Sequence, residues 1–122
     1  MPKLHSVLVI DDNSLIHKII KKTLPDDEFE IIGYAENGFQ GIDLYKTLKP
    51  DLVTLDVTMP ELSGLDTLKG LQEIDPNVKV VFLTSTNSGT AIDSLHQMGM
   101  QHFVLKPFKT DELLETLRKV CM

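Results

Sequence analysis

Tryptophan is absent from this chain, cysteine occurs once, and no apolar run extends beyond a few residues. The lone Cys121 excludes an internal disulfide and suits a reducing compartment; as the penultimate residue it reads as packing or fraying rather than reactive. The first apolar stretch, Val7-Leu8-Val9-Ile10, is stopped at once by Asp11-Asp12. It is too short for a signal-peptide core or a membrane span, so a cytoplasmic protein without membrane insertion is expected. Net positive charge is missing too. The formal charge is −6, which argues against a nucleic-acid surface, since phosphate binding needs clustered Lys and Arg. Lys18, Lys21 and Lys22 form the one tight basic group and read as a solvated helix face. Low-complexity segments are also lacking, and 122 residues suffice for one domain, residues 1–122, around a single core.

What is present is an alternation. Residues 7–10 are continuous and mostly β-branched, as in a central strand of a parallel sheet. Leu15, Ile16, Ile19 and Ile20 then recur at helical spacing until Leu24-Pro25. Residues 29–35 form a second strand, whose Glu30 and weaker apolar run suggest an edge. Asn37-Gly38 opens a second helix with Ile42, Tyr45 and Leu48 on one face, and Lys49-Pro50 ends it. Leu52-Val53-Thr54-Leu55 is a third strand, followed by a loop that Gly64 can turn and a helix marked by Leu65, Leu68, Leu71 and Ile74. Residues 78–83 give a fourth strand. Ala91, Ile92, Leu95 and Met98 trace a fourth helix with Gly99 as its cap, and Phe103-Val104-Leu105 is a short fifth strand. Thr110 can cap a fifth helix, with Leu113, Leu114, Leu117 and Val120 facing inward. Five strands alternating with five helices predict an α/β fold, a doubly wound parallel sheet with right-handed crossovers.

In such sheets ligands bind outside the carboxyl ends of the strands. Strand one ends in Asp11-Asp12, strand three in Asp56, strand four in Thr84 and strand five in Lys106. Three carboxylates brought together repel one another unless a cation intervenes. A hard divalent ion such as Mg²⁺ suits them, because it takes oxygen ligands and uses one or two carboxylates beside a phosphate. His5, His17, His96 and His102 lie apart without ligand spacing, so zinc is not expected and these residues read as structural or surface groups. Metal, ammonium and hydroxyl together suit a phosphoryl group, and Asp56 becomes a candidate nucleophile.

These motifs carry a resemblance. Val9-Ile10-Asp11-Asp12, Asp56 with Met59-Pro60 and Gly64, Leu83-Thr84, and Lys106-Pro107-Phe108 resemble the receiver domain of bacterial two-component response regulators. The likeness is to the stand-alone CheY-like, chemotaxis type, and it covers residues 7–120. It implies the flavodoxin-like strand order 2-1-3-4-5, for which the chemotaxis receiver is itself a standard example. It implies a phosphoryl group accepted by Asp56 from a histidine kinase or its phosphohistidine domain. His17 stands out because it follows the acidic loop on the first helix, where a kinase or its histidine-bearing domain could dock. Asp12 and Asp56 would hold Mg²⁺ directly, Asp11 through water, and the Thr58 backbone carbonyl would complete the protein ligands. Lys106 would meet the phosphoryl oxygens, and the Lys106-Pro107 bond would be cis. Thr84 and Phe103 would act as a switch, re-forming the surface of residues 90–98, Phe103 and 106–115 for an output protein such as a flagellar motor switch. Phe103 is equally well read as plain core. A phosphatase is a further implied partner, and a monomer is expected. Thr58 and Thr86 flank the implied path of attacking water. The domain would catalyse only its own phosphorylation and dephosphorylation.

Two readings share these motifs: a phosphorelay intermediate passing its phosphoryl group to a second histidine, and the receiver fragment of a longer DNA-binding regulator. An aspartyl-phosphate phosphatase of the haloacid dehalogenase type fits less well, since it wants an acid where Thr58 stands. A flavodoxin-like flavin carrier is excluded by Asp11-Asp12-Asn13, which would repel the flavin phosphate.

Overall fold

The computed structural model describes residues 4–57, 61–85, 93–94, 96–97, 102–106 and 108–121. In chain order the elements are β1 (His5–Ile10), α1 (Ser14–Thr23), β2 (Phe29–Ala35), α2 (Gly38–Leu48) and β3 (Leu52–Asp56). They continue with α3 (Gly64–Ile74), β4 (Val80–Ser85), β5 (Phe103–Lys106) and α4 (Thr110–Cys121). All strand pairs are parallel, in the order β2-β1-β3-β4-β5. The expected sheet, including the edge position of β2, is therefore present. Four helices are delimited among the described residues. Of the expected fourth helix, Ala91, Ile92, Leu95, Met98 and the Gly99 cap lie outside the described residues; Asp93, Ser94, His96 and Gln97 between them are helical.

Strand alternation splits the core in two. Leu8 and Ile10 join Val53, Leu55 and Phe82 beneath Tyr45 of α2 and Leu68 and Leu71 of α3. Val7 and Val9 join Leu52, Val81 and Leu83 beneath Ile20 of α1 and Leu113 and Leu117 of α4. Each strand residue thus feeds one of two apolar layers, and a fully buried leucine contributes about 1.5–3 kcal/mol. Asn13, Asn37 and Ser63 cap α1, α2 and α3 by accepting backbone N–H groups. At α4 the first intrahelical bond runs from the Leu113 N–H to the Lys109 carbonyl, so Lys109 takes the cap position and Thr110 lies one residue inside.

Two expected details shift. The fourth strand begins at Val80 rather than Val78 and runs through Thr84 to Ser85. The loop after Asp56 also turns elsewhere than expected. The left-handed residue is Glu61, at φ 70°, and not Gly64, which opens α3. Gly64 is required for closeness instead: a Cβ there would collide with the Asp56 carbonyl oxygen and the Val57 Cα. Its N–H donates to the Val57 carbonyl at 2.9 Å, folding the loop back over the end of β3.

Candidate functional site

The parallel register brings the strand ends together. Val9 pairs with Thr54 and Ile10 with Leu55, so Asp11 follows β1 beside Asp56 at the end of β3. Asp56 pairs with Leu83, and Thr84 comes next on β4; Ser85 pairs with Lys106 on β5. Asp11 is fully buried, Asp56 and Thr84 nearly so, and Asp12 is exposed. Carboxylate oxygens of Asp11, Asp12 and Asp56 all lie within 4.8 Å of one another. Of the expected site residues, Thr58 lies outside the described residues, as do Thr86 and Pro107.

Lys106 reaches into this group. Its Nζ donates to Asp11 Oδ2 at 3.0 Å and lies 3.5 Å from Asp56 Oδ2. The ammonium therefore bridges the two buried carboxylates, and Asp11 Oδ1 accepts the Asn13 N–H at 2.9 Å. Three carboxylates against one ammonium leave two negative charges, which is what a divalent cation balances. The donor set is oxygen only, and among the described residues no histidine or cysteine joins the cluster. The residues present fit Mg²⁺.

Phe103 is half-buried against the layer containing Phe82, with its ring edge-on to His96 at 5.3 Å between centroids. His5 lies against Phe29 at 5.7 Å, and His102 is exposed. Lys18, Lys21 and Lys22 are exposed on α1. Burial pushes the Cys121 thiol above its ordinary range, as suits a packed rather than reactive cysteine. What the sequence did not reveal is the partner of His17. Its Nε2 sits 2.8 Å from the Asp11 carbonyl oxygen and its ring stacks on Tyr34. No spacing rule links Tyr34 to His17, because a register shift in β2 decides which way Tyr34 faces.

A family model described as the response regulator receiver domain matches residues 7–118. The chain belongs to that family. The receiver is 36% identical to the chemotaxis protein CheY of Bacillus subtilis over 115 residues, covering 94% of this chain and 96% of the relative. It is 38% identical to the chemotaxis protein CheY of Listeria monocytogenes over 114 residues, covering 93% and 95%. Among solved structures it is similar to a CheX–CheY–BeF3–Mg complex from Borrelia burgdorferi, with a TM-score of 0.88 at 27% identity, covering 97% of this chain and 90% of that one. No helix among the receiver's described residues is long and apolar enough to cross a membrane.

Proposed function

We propose that this receiver accepts a phosphoryl group on Asp56 and relays that state to an output protein in chemotaxis-type signalling in the cytoplasm. The observation that carries the reading is the convergence of Asp11, Asp12 and Asp56 around the Lys106 ammonium. Asp12 and Asp56, with the Thr58 carbonyl, would hold Mg²⁺, and Asp11 would act through a water. When bound, the metal supplies Lewis-acid neutralisation of phosphoryl oxygens. The donor is a phosphohistidine on a kinase or on its phosphotransfer domain. An Asp56 carboxylate oxygen forms the new bond to phosphorus while the nitrogen–phosphorus bond breaks and its electron pair returns to the imidazole. Lys106, already 3.5 Å from that carboxylate, meets charge on the transferred group, and the Thr84 hydroxyl donates to it.

Phosphorylation adds about −1.5 to −2 charges, and interactions present in one state only then bias a two-state equilibrium. Phe103 follows Thr84 inward, and the surface of residues 90–98, Phe103 and 106–115 changes its affinity for the output partner. The names of the curated relatives support chemotaxis as the pathway. The receiver catalyses only its own phosphorylation and dephosphorylation.

The test is intact mass after incubation with Mg²⁺ and a small acyl phosphate, wild type beside Asp56→Asn. One added phosphoryl group, stable in acid and labile in base, is expected on the wild type alone. Equal phosphorylation of Asp56→Asn would remove Asp56 as the acceptor.

A further inference from the structure

We infer that His17 is a positioning residue for the acidic site, clamping the Asp11 backbone and with it the loop that carries both Asp11 and Asp12. The inference rests on the reading of that site as a Mg²⁺ and phosphoryl centre. His17 is half-buried on α1, and its Nε2 lies 2.8 Å from the carbonyl oxygen of Asp11. A carbonyl oxygen only accepts, so Nε2 carries the proton and donates. The ring is held in turn by Tyr34, stacked at 4.9 Å between centroids with 28° between planes.

Tyr34 reaches this position because of an irregularity in β2. Val7 pairs with Ile31, but Leu8 pairs with Gly33 and Val9 with Tyr34, so one extra residue is taken up at Ile32. Unbroken alternation from Ile31 would send residue 33 to the α1 side and residue 34 to the other. The extra residue reverses this, placing Tyr34 with Ile31 on the α1 side. The next residue, Ala35, accepts the Asp11 N–H at 2.9 Å. Two consecutive residues of the edge strand therefore hold Asp11, one directly at its N–H and one through His17 at its carbonyl. Its side chain is held by Lys106 and the Asn13 N–H.

The consequence passes to Asp12. The Asp11 carbonyl and the Asp12 N–H share one rigid peptide plane. Fixing the carbonyl fixes the plane from which the exposed Asp12 side chain projects. Hydrogen bonds that orient a ligand residue tune metal affinity without touching the metal.

Two variants separate the donor from the stack. His17→Phe keeps an aromatic ring for Tyr34 and removes the donor; His17→Gln restores an N–H of similar reach. Calorimetric Mg²⁺ titration, thermal midpoint and initial rate of acyl-phosphate-driven phosphorylation are compared for both and for the wild type. His17→Phe is expected to bind Mg²⁺ roughly 3- to 10-fold more weakly and His17→Gln within about twofold of wild type. Phosphorylation rates should follow Mg²⁺ affinity and not the thermal midpoint. Unaltered Mg²⁺ affinity in His17→Phe overturns the inference and leaves the site reading intact, and equal weakening in both variants also overturns it, because an N–H restored at this position would then not restore the affinity. A wild type that takes up no Mg²⁺ removes the site reading and this inference with it. Long-range ¹H–¹⁵N spectra of the wild type give a check without substitution: a neutral His17 protonated on Nδ1 overturns the proposal.

Discussion

Carboxylates stand at both ends of the sheet, and the two ends treat them differently. At the amino end, Asp51 Oδ2 accepts the Ser6 N–H at 2.9 Å and the Ser6 hydroxyl at 3.1 Å. Asp75 accepts the Tyr45 phenol and the Asn77 N–H, each at 2.9 Å. These acids join segments far apart in sequence through neutral donors. At the carboxyl end, Asp11, Asp12 and Asp56 crowd together, and one ammonium serves two of them. Burial does not separate the two sets, since Asp51 and Asp75 are half-buried while Asp12 is exposed. The neighbours do. A carboxylate that accepts neutral N–H and O–H groups from distant segments acts as a joint, whereas crowded carboxylates leave negative charge that a cation can answer.

Asp51→Ala is the strongest way to break this contrast. It strips the acceptor from the Ser6 N–H and hydroxyl, which should cost roughly 1–3 kcal/mol of stability. Phosphoryl uptake by Asp56, at the other end of the sheet, should be unchanged. Asp56→Asn should show the opposite pair of effects, with uptake abolished and the urea midpoint hardly moved. Urea titration and intact mass on the same samples decide it; a folded Asp51→Ala protein that takes up no phosphoryl group would show that the two ends are coupled.

Lys106→Ala sharpens the carboxyl end. Asp11 is fully buried and would lose its cation, while the lysine side chain is 23% exposed, so water replaces part of the interaction. The expected loss without metal is about 1–2 kcal/mol, below that of a fully buried pair. The ammonium and Mg²⁺ draw on the same carboxylates, so the variant should bind Mg²⁺ more tightly, and saturating Mg²⁺ should recover most of the lost stability. Weaker Mg²⁺ binding would mean that Lys106 organises the carboxylates rather than competing for them.

The carboxyl-end half of this contrast is legible in the sequence, for a physical reason. Buried parallel strands are short and mostly apolar, so a charged or hydroxyl residue closing the apolar run marks the end, as Asp11, Asp56, Thr84 and Lys106 do; Thr54, polar but inside β3, is an exception. The amino end was silent. Ser6–Asp51 and Tyr45–Asp75 pair across 45 and 30 residues through loop geometry that no local pattern encodes. The same holds for Tyr34, whose direction depends on one extra residue in β2, and for Glu61, which takes the positive φ that Gly64 was expected to supply. Periodicity locates elements and their ends; it does not report where alternation slips.

The smallest expected effect lies in Tyr45→Phe, which tests whether the amino end is a joint of neutral donors. Burial, followed by the hydrogen bond to Asp75, pushes the Tyr45 phenol up to about 12. The folded chain therefore holds this proton more tightly than the unfolded chain, whose phenol titrates near ~10. The associated stability is fully present below pH ~10 and is lost as pH rises through the folded value. Tyr45 also lines a cleft of about 420 Å³ that opens to solvent beside Asp51 and Lys79, so part of the linkage is screened. At neutral pH, Tyr45→Phe should cost no more than about 1 kcal/mol, the worth of one hydrogen bond. Its distinguishing mark is the alkaline limb: urea midpoints of the wild type should fall more steeply above pH ~10 than those of the variant. Parallel alkaline limbs would show that the phenol is not held by Asp75, and that the amino end is looser than its hydrogen bonds imply.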